Sequence, residues 1–260
     1  MEPREIFERY AAQQRNVAQP GFRSEIFPGF LRLTPTSSEA GGFIQLAKLT
    51  EENVDAAIIG QKAYFASIGR GFEWKVHDFD TPDNLVERLL AHGFKPDDTE
   101  ALMVYDVAAH QPWTGALAAG MRLEQITTRD RIQDVVKAHD VANDAPYPPL
   151  AHQLEIALDR TAIFCAYDGD EPIGTGWIEF PPGGEFAEIH GGAVVPSFRG
   201  KGIYSALFDV RVQEARLRSV PFLVADAGPM SKPILLKKGF EFICETTPYR
   251  IPAQAGPVQS

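Results

Sequence analysis

Hydrophobic positions recur along the chain with two periods, and their order predicts a mixture of helices and strands. Apolar residues three or four positions apart predict helices over residues 3–17, 50–68, 81–90, 127–140, 152–160, 202–218 and 231–239. Short runs rich in β-branched and aromatic residues predict strands over residues 25–33, 43–49, 72–79, 101–107, 121–126, 161–168, 172–180, 185–195, 221–226 and 240–251. Residues 108–120 follow neither period, so they predict a linker.

An internal repeat and this linker predict two domains. Residues 89–94 read LLAHGF and align with residues 235–240, which read LLKKGF. In both places a strand precedes the short helix and another strand follows the Gly-Phe pair, which favours a duplicated module. We therefore place a first domain at residues 1–110, a linker at 111–120 and a second domain at 121–260.

Composition and charge narrow the class of protein. The chain has 260 residues, of which 44% are apolar and 23% charged, as in ordinary globular domains. It carries 25 basic and 35 acidic side chains, and its net charge is −10. An acidic chain argues against nucleic acid or an anionic membrane as the main partner and weakly favours a cationic substrate. Two cysteines and six histidines without ligand spacing predict no metal site.

The sequence predicts a cytoplasmic protein without a membrane segment. The first residues are charged from Glu2 onward and lack the apolar core of a signal peptide. The longest uncharged stretch, residues 107–121, is interrupted by Pro112, Gly115 and Gly120, so it is too short and too broken to span a bilayer.

The segment between Phe198 and Tyr204 predicts an anion site. A strand runs into a loop that holds two glycines and two cations, and the loop opens a helix. Backbone N–H groups at a helix N-terminus are unpaired and partly positive, and glycines let an anion approach the backbone closely. These features favour a pyrophosphate ligand. The plainer alternative is an ordinary turn between a strand and a helix.

Two other phosphate-binding motifs fit this segment poorly. The P-loop pattern G-x-x-x-x-G-K-[ST] is absent from the sequence. The dinucleotide fingerprint is half matched, with Asp226 as the ribose-binding acid, but its third glycine is Ser205. Too little chain follows Asp226 for the second half of a dinucleotide fold. A dinucleotide-dependent oxidoreductase therefore remains a distant alternative.

The same residues resemble the GCN5-related N-acetyltransferase (GNAT) superfamily. Its Gln/Arg-x-x-Gly-x-Gly/Ala motif is matched from Arg199 to Tyr204 after Val194-Val195-Pro196, and its Leu-x-x-x-Gly-Phe mark is matched from Leu235 to Phe240. Tyr204 departs from the family's usual Gly or Ala. The resemblance implies acetyl-CoA as cosubstrate, held by a strand that splays at Val194 and Val195 and offers one of their N–H groups to the thioester oxygen. The implied CoA-binding residues are Val194, Val195, Arg199, Gly200, Lys201, Gly202, Ile203, Tyr204 and Ser231.

The resemblance also implies the fold class and the role of the first half. We expect an α/β (α+β) protein with two GNAT-like domains, each a mixed, mostly antiparallel sheet flanked by helices. The first domain lacks the Arg-x-x-Gly-x-Gly/Ala motif. It therefore resembles a degenerate copy that walls the acceptor cleft or forms homodimer contacts.

The resemblance further implies an N-acetyltransferase that acts on a primary amine of a small molecule or peptide. Glu188 precedes Arg199 by the offset of the catalytic glutamate in the histone-modifying branch, so it is the candidate base. Strand alternation puts His190 on the same face, as a proton relay or as the base itself. A solvated strand acid and a structural histidine are the plainer alternatives for these two residues.

The general acid is harder to assign. The position where many members carry a tyrosine is Leu235, and Ser231 matches a small Ala/Ser position. Ser231, Tyr204 or Tyr249 could assist the leaving thiolate. The missing tyrosine keeps open a non-catalytic CoA-binding sensor.

The remaining marked residues receive ordinary interpretations. We expect three tryptophans to be core or cleft-lining aromatics, and three arginines of the helix over 202–218 to form a solvated face. These residues are Trp74, Trp113, Trp177, Arg211, Arg216 and Arg218.

Overall fold

A computed structural model describes residues 2–37 and 41–253. The helices are α1 (Pro3–Asn16), α2 (Val54–Ser67), α3 (Leu85–Ala91), α4 (Ile132–Asn143), α5 (Leu150–Ile156), α6 (Ile203–Leu217) and α7 (Lys232–Lys237). The strands are β1 (Phe22–Phe27), β2 (Phe30–Pro35), β3 (Gly42–Gln45), β4 (Phe72–His77), β5 (Lys95–Pro96), β6 (Glu100–Asp106), β7 (Met121–Ile126), β8 (Thr161–Asp168), β9 (Glu171–Glu179), β10 (Phe186–Val194), β11 (Phe222–Ala227) and β12 (Glu241–Ile251).

The chain folds as two compact units. Unit 1 comprises the residues up to Met103 together with those from Asp226 onward, and unit 2 comprises Val104–Ala225. Both are mixed, mostly antiparallel sheets flanked by helices, which is the expected fold class.

Unit 1 is built on strands in the order β1-β2-β3-β4-β12. The pairs are antiparallel except β3 with β4, which run parallel. Side chains from β4, from helices α2 and α3 and from β12 form one apolar core around Trp74, which is fully buried. Burial of this large indole contributes strongly to the apolar core of the unit.

Unit 2 is built on strands in the order β7-β8-β9-β10-β11. The first three pairs are antiparallel, and β10 runs parallel to β11. Helices α4 and α5 cover β8 through a cluster that includes Ile132, Val135 and Leu154. Helix α6 packs on β8, β9 and β10.

The two Gly-Phe segments have the same local structure. Gly93 and Gly239 end their helices with φ of +89° and +94°. The N–H of Phe94 donates to the Leu89 carbonyl, and the N–H of Phe240 donates to the Leu235 carbonyl, both at 3.1 Å. Each unit also contains an antiparallel meander followed by a parallel pair, which agrees with a duplicated module.

The structure differs from the sequence prediction at two strands. Residues 25–33 form the hairpin of β1 and β2 rather than one strand, because Gly29 (φ +99°) reverses the chain. Strand β12, which the sequence placed at the end of the second domain, pairs with β4 from Thr246 opposite His77 to Ile251 opposite Phe72. For this reason the chain after Ala225 groups with unit 1.

Candidate functional site

The parallel strands of unit 2 separate in the middle of β10. Strand β10 pairs with β11 at Phe186, Ala187 and Glu188, and among the described residues the pairing ends at Glu188 opposite Val224. Strand β10 continues to Val194 along β9 alone. A split between parallel strands therefore opens immediately after Glu188, earlier than the splay expected at Val194 and Val195.

A bulge at Gly191 and Gly192 reshapes β10 where the split opens. The register with β9 shifts between His190 and Ala193. Gly191 has φ of +58°, and a Cβ there would lie 1.7 Å from the Trp177 ring. Only glycine fits beneath this ring, because φ is positive and the indole occupies the place of a side chain.

The backbone N–H groups of Val194 and Val195, which were expected to hold a thioester oxygen, differ in their hydrogen bonding. The Val195 N–H donates to the Ile173 carbonyl at 2.9 Å, so this group is already used. Hydrogen-bonded and non-hydrogen-bonded pairs alternate along an antiparallel ladder. Val194, which is paired with Gly174, therefore directs its N–H away from β9 and toward the split.

Glu188 and His190 lie side by side at the head of the split. Glu188 Oε2 and His190 Nε2 are 3.6 Å apart, and the side chains are 20% and 42% exposed. The Trp177 ring stacks beside His190 with centroids 6.3 Å apart. A partly shielded carboxylate next to an accessible imidazole can accept a proton and pass it toward solvent.

The glycine-rich loop follows β10 and opens α6. Gly200 and Gly202 have φ of +78° and +83°. A Cβ on Gly200 would meet nothing within 4 Å, so the backbone there is open to a ligand. Lys201 is exposed, with its ammonium 4.5 Å from the centre of the Phe198 ring. Open backbone beside a helix N-terminus and a cation suits a diphosphate.

The Arg199 side chain binds two backbone carbonyl groups, although its charge suggested a side chain that faces an anion. Its guanidinium donates to the Val194 carbonyl at 3.1 Å and to the Ala142 carbonyl of α4 at 2.9 Å. The side chain thus ties the end of β10 to the end of α4. In an anion site, Arg199 would therefore position the loop as well as supply charge.

Arg211 is buried, contrary to the solvated face predicted for it. The residue is 1% exposed, and its guanidinium donates to the Leu207 carbonyl at 2.9 Å and to the His190 carbonyl at 3.4 Å. Its Nη2 has no hydrogen-bond partner, and no carboxylate of the described residues lies within 4 Å. Burial lowers the pKa of this guanidinium, while the neighbouring Tyr204 hydroxyl acts to raise it. A buried cation that has no counterion among the described residues therefore lies beneath the β10 bulge.

Ser231 and Leu235 lie in unit 1. The Ser231 hydroxyl donates to the Gly228 carbonyl at 3.1 Å, at the start of α7. Leu235 is 4% exposed and packs inward, so the position of the family tyrosine offers no proton donor. The role of Ser231 remains a prediction from the sequence.

Sequence reasoning missed the residues that shape the split. The Gly191-Gly192 pair inside a strand is a signal of a bulge, and it could have been recognised. His139 lies beyond Trp177 on α4, with ring centroids 6.2 Å apart, and nothing in its sequence context marks it. Arg211 carries no marker either, since an arginine on a helix is usually solvated.

These features define an α/β protein in which a glycine-rich loop with open backbone follows the split of two parallel strands. Residues 131–229 match the sequence profile of the Acetyltransferase (GNAT) family. The family model thus covers this part of the chain and confirms the motif resemblance there. The reaction of the family is acetyl transfer with acetyl-CoA as the donor.

Solved structures share the fold along nearly the whole chain. A GCN5-related N-acetyltransferase from Kribbella flavida superposes with a TM-score of 0.72 at 14% identity, over 98% of this chain and 96% of that one. A tandem GNAT protein of the clavulanic acid biosynthesis pathway superposes with a TM-score of 0.65 at 12% identity, over 95% and 88%. One from Sphaerobacter thermophilus gives 0.66 at 12% identity, over 88% and 78%. Identities this low establish the fold alone. No curated protein matched the sequence.

Two further searches of the described residues gave negative results. None of the helices there is long and apolar enough to cross a bilayer. No group of three or more His, Cys, Asp or Glu side chains in that part of the chain is arranged to hold a metal ion.

Proposed function

We propose that the protein is an acetyl-CoA-dependent N-acetyltransferase that acts on a primary amine of a small molecule or protein. The observation that carries the proposal is the course of β10. The strand leaves β11 directly after Glu188 and then leads into the open glycine loop before α6. One continuous segment thus joins a candidate base to a candidate diphosphate site.

The residues of the loop and the split fit the donor. When bound, acetyl-CoA supplies an acetyl group activated as a thioester. The open backbone at Gly200 and the Lys201 ammonium would hold its diphosphate. The Val194 N–H, directed toward the split, would donate to the thioester oxygen and polarise the carbonyl. One such backbone donor typically contributes about 2.7–4 kcal/mol to lowering the barrier.

Glu188 prepares the acceptor amine. Its carboxylate takes a proton from the ammonium, with His190 passing that proton toward solvent. The neutral amine nitrogen then bonds directly to the acetyl carbon within the ternary complex as the carbon–sulfur bond breaks. The thiolate leaves and takes up the proton that the nitrogen gives up as the amide forms. Ser231 remains the sequence-derived candidate for that last step.

The charge of the chain bears on the acceptor. A net charge of −10 favours acceptors that carry a cationic amine over nucleic acid or anionic surfaces. The cytoplasmic location and the homodimer remain predictions from the sequence.

Release of free thiol from acetyl-CoA in the presence of an amine panel tests the proposal. We expect Glu188→Gln to lower kcat about 100-fold or more while the Kd for CoA changes less than about twofold. Glu171→Gln is the matched control, because Glu171 is an exposed strand carboxylate that pairs with the exposed Lys137. Full activity of Glu188→Gln at neutral pH would remove Glu188 as the base.

The buried Leu235 favours a second candidate, a CoA-binding sensor without turnover. In that case CoA binds to the wild-type protein, but no amine of the panel releases thiol. Turnover with any amine, lost in Glu188→Gln, excludes the sensor.

A further inference from the structure

Residues 107–115, which precede β7, are fixed to α6 by a buried polar chain. His110 and Asp209 are only 6% and 7% exposed, and their Nε2 and Oδ1 atoms are 2.8 Å apart. His110 Nδ1 lies 2.8 Å from the Tyr105 hydroxyl. A neutral imidazole satisfies both contacts, because it donates from Nε2 to the carboxylate and accepts at Nδ1 from the phenol.

Two more contacts hold the same segment in place. The Trp113 N–H donates to Asp209 Oδ1 at 2.9 Å. The Arg216 guanidinium donates to the Val107 carbonyl at 3.1 Å and to the His110 carbonyl at 3.0 Å. A segment that has only a short 3-10 helix at Val107–Ala109 is thus fastened along α6, so the side chain that it carries has a defined place.

That side chain is the Trp113 indole, and it lies against the glycine loop. A Cβ on Gly202 would come within 2.9 Å of Trp113 Cζ2, whereas Gly200 is open. The indole also folds over Gly115, where a Cβ would lie 2.4 Å from the ring. The ring is partly exposed, so one side of the candidate diphosphate site is bordered by an aromatic surface.

We propose that Trp113 is a nucleotide-binding residue that contacts the adenosine end of CoA. The proposal rests on the proposed function, since it needs CoA at the glycine loop. The indole borders the candidate diphosphate site at Gly202, and an aromatic face there can bind the adenine base by stacking. The adjacent Lys201 supplies positive charge for the phosphates of the same end.

Affinity measurements with parts of CoA test this assignment. Calorimetry uses CoA, adenosine 3′,5′-bisphosphate and pantetheine with the wild type, Trp113→Phe and Trp113→Ala. We expect Trp113→Ala to weaken CoA and the bisphosphate about tenfold and to leave pantetheine unchanged. Trp113→Phe keeps a ring and weakens both by less than about threefold. In Trp113→Ala we expect the KM for acetyl-CoA to rise by a larger factor than the kcat falls.

Fluorescence gives a second readout that does not depend on the alanine variant. The chain has three tryptophans, so Trp113 is the single emitter in the Trp74→Phe, Trp177→Phe double variant. We expect CoA and the bisphosphate to change its emission and pantetheine to leave it unchanged.

The outcomes separate this inference from the function on which it rests. If the wild type binds no CoA, the proposed function fails and the inference fails with it. If the wild type binds CoA while Trp113→Ala binds it equally well or more tightly, only the inference is overturned. A pantetheine affinity that falls together with that of CoA also overturns it.

Discussion

At the scale of single residues, Gly200 and Gly202 have different surroundings although the sequence treats them alike. Both have positive φ, which the glycines and the strand-to-helix turn made predictable. The two glycines differ in their surroundings, because Gly200 faces open solvent and Gly202 faces the Trp113 ring. That ring comes from a distant segment without periodicity, so the sequence could not show which glycine is open to a ligand.

Arg211 is a residue whose burial the sequence could not show, because an arginine on a helix is expected to be exposed to solvent. Its guanidinium fits under Gly176 and Gly192, since a Cβ at these positions would lie 3.0 Å from its Cζ and 3.4 Å from its Nη2, respectively. The sequence contains the glycines that make room for it. Their link to an arginine on another element is visible only after folding.

Replacement of Arg211 should separate stability from activity. An apolar side chain in place of a buried charge without a counterion usually keeps or raises stability. We therefore expect Arg211→Met to melt at the wild-type temperature or higher. We also expect its kcat to fall about tenfold to a hundredfold, because the His190 carbonyl loses the donor that holds the bulge.

Thermal melting and steady-state kinetics measure these two effects. Arg218→Met is the control, since Arg218 is an exposed arginine that directly follows the last residue of α6. Arg211→Met with normal kcat would show that the buried cation has no part in catalysis.

At the scale of elements, the predicted bounds of α6 are within one residue of the observed ones, but its apolar residues do not mark the whole buried face. Leu217 is apolar and 80% exposed, whereas Arg211 is 1% exposed. The buried side runs through Leu207, Arg211 and Ala215. A buried helix face that is predicted from apolar residues alone omits any buried position that holds a charged residue.

Strand β7 and helix α4 are linked by an ionic cluster that predicts a pH dependence. Arg131 donates to Asp134 Oδ2 at 2.9 Å and to Glu124 Oε2 at 3.0 Å. Burial acts to raise the pKa of Asp134, but hydrogen bonds from Arg131 and Tyr167 lower it further than burial raises it. Hydrogen bonds from Arg122 and Arg131 lower the pKa of Glu124.

Carboxylates with a lowered folded-state pKa stabilise the fold above their unfolded-state pKa of about 4. That stabilisation disappears as the pH falls through the folded-state values. We expect Arg131→Gln to melt a few degrees below the wild type at pH 7, and the difference to shrink toward about pH 3. Thermal melts across this range measure it. A difference that stays constant with pH would mean that the cluster does not stabilise the fold through charge.

At the scale of the whole molecule, the sequence predicted two domains in chain order, and the two compact units do not follow that order. The strand character of residues 240–251 was predictable from their composition. The strand that pairs with them was not predictable. The alternation of side chains defines the two faces of a strand but does not identify its neighbour in the sheet. Register with β4 and the burial of Tyr249 in the core of unit 1 decide where the strand belongs.

Tyr249→Ala should therefore act on unit 1. Removal of a buried ring that packs in the cluster of Trp74 typically lowers the free energy of unfolding by about 3–5 kcal/mol. We expect hydrogen exchange to accelerate in β4, α2 and α3, while β8 and β9 keep their protection. Faster exchange confined to β8 and β9 would contradict the assignment of β12 to unit 1.

In the proposed function, the loop from Phe198 to Tyr204 binds the diphosphate of CoA. Calorimetric titration of CoA into the wild type, Gly200→Asp and Gly169→Asp tests it most directly. Gly169 is the control, because it also has positive φ (+57°) and open space but lies in the β8–β9 turn. A carboxylate at the open glycine would repel the diphosphate, so we predict that Gly200→Asp weakens CoA more than about tenfold and Gly169→Asp does not. Equal CoA affinity in all three proteins would contradict the account.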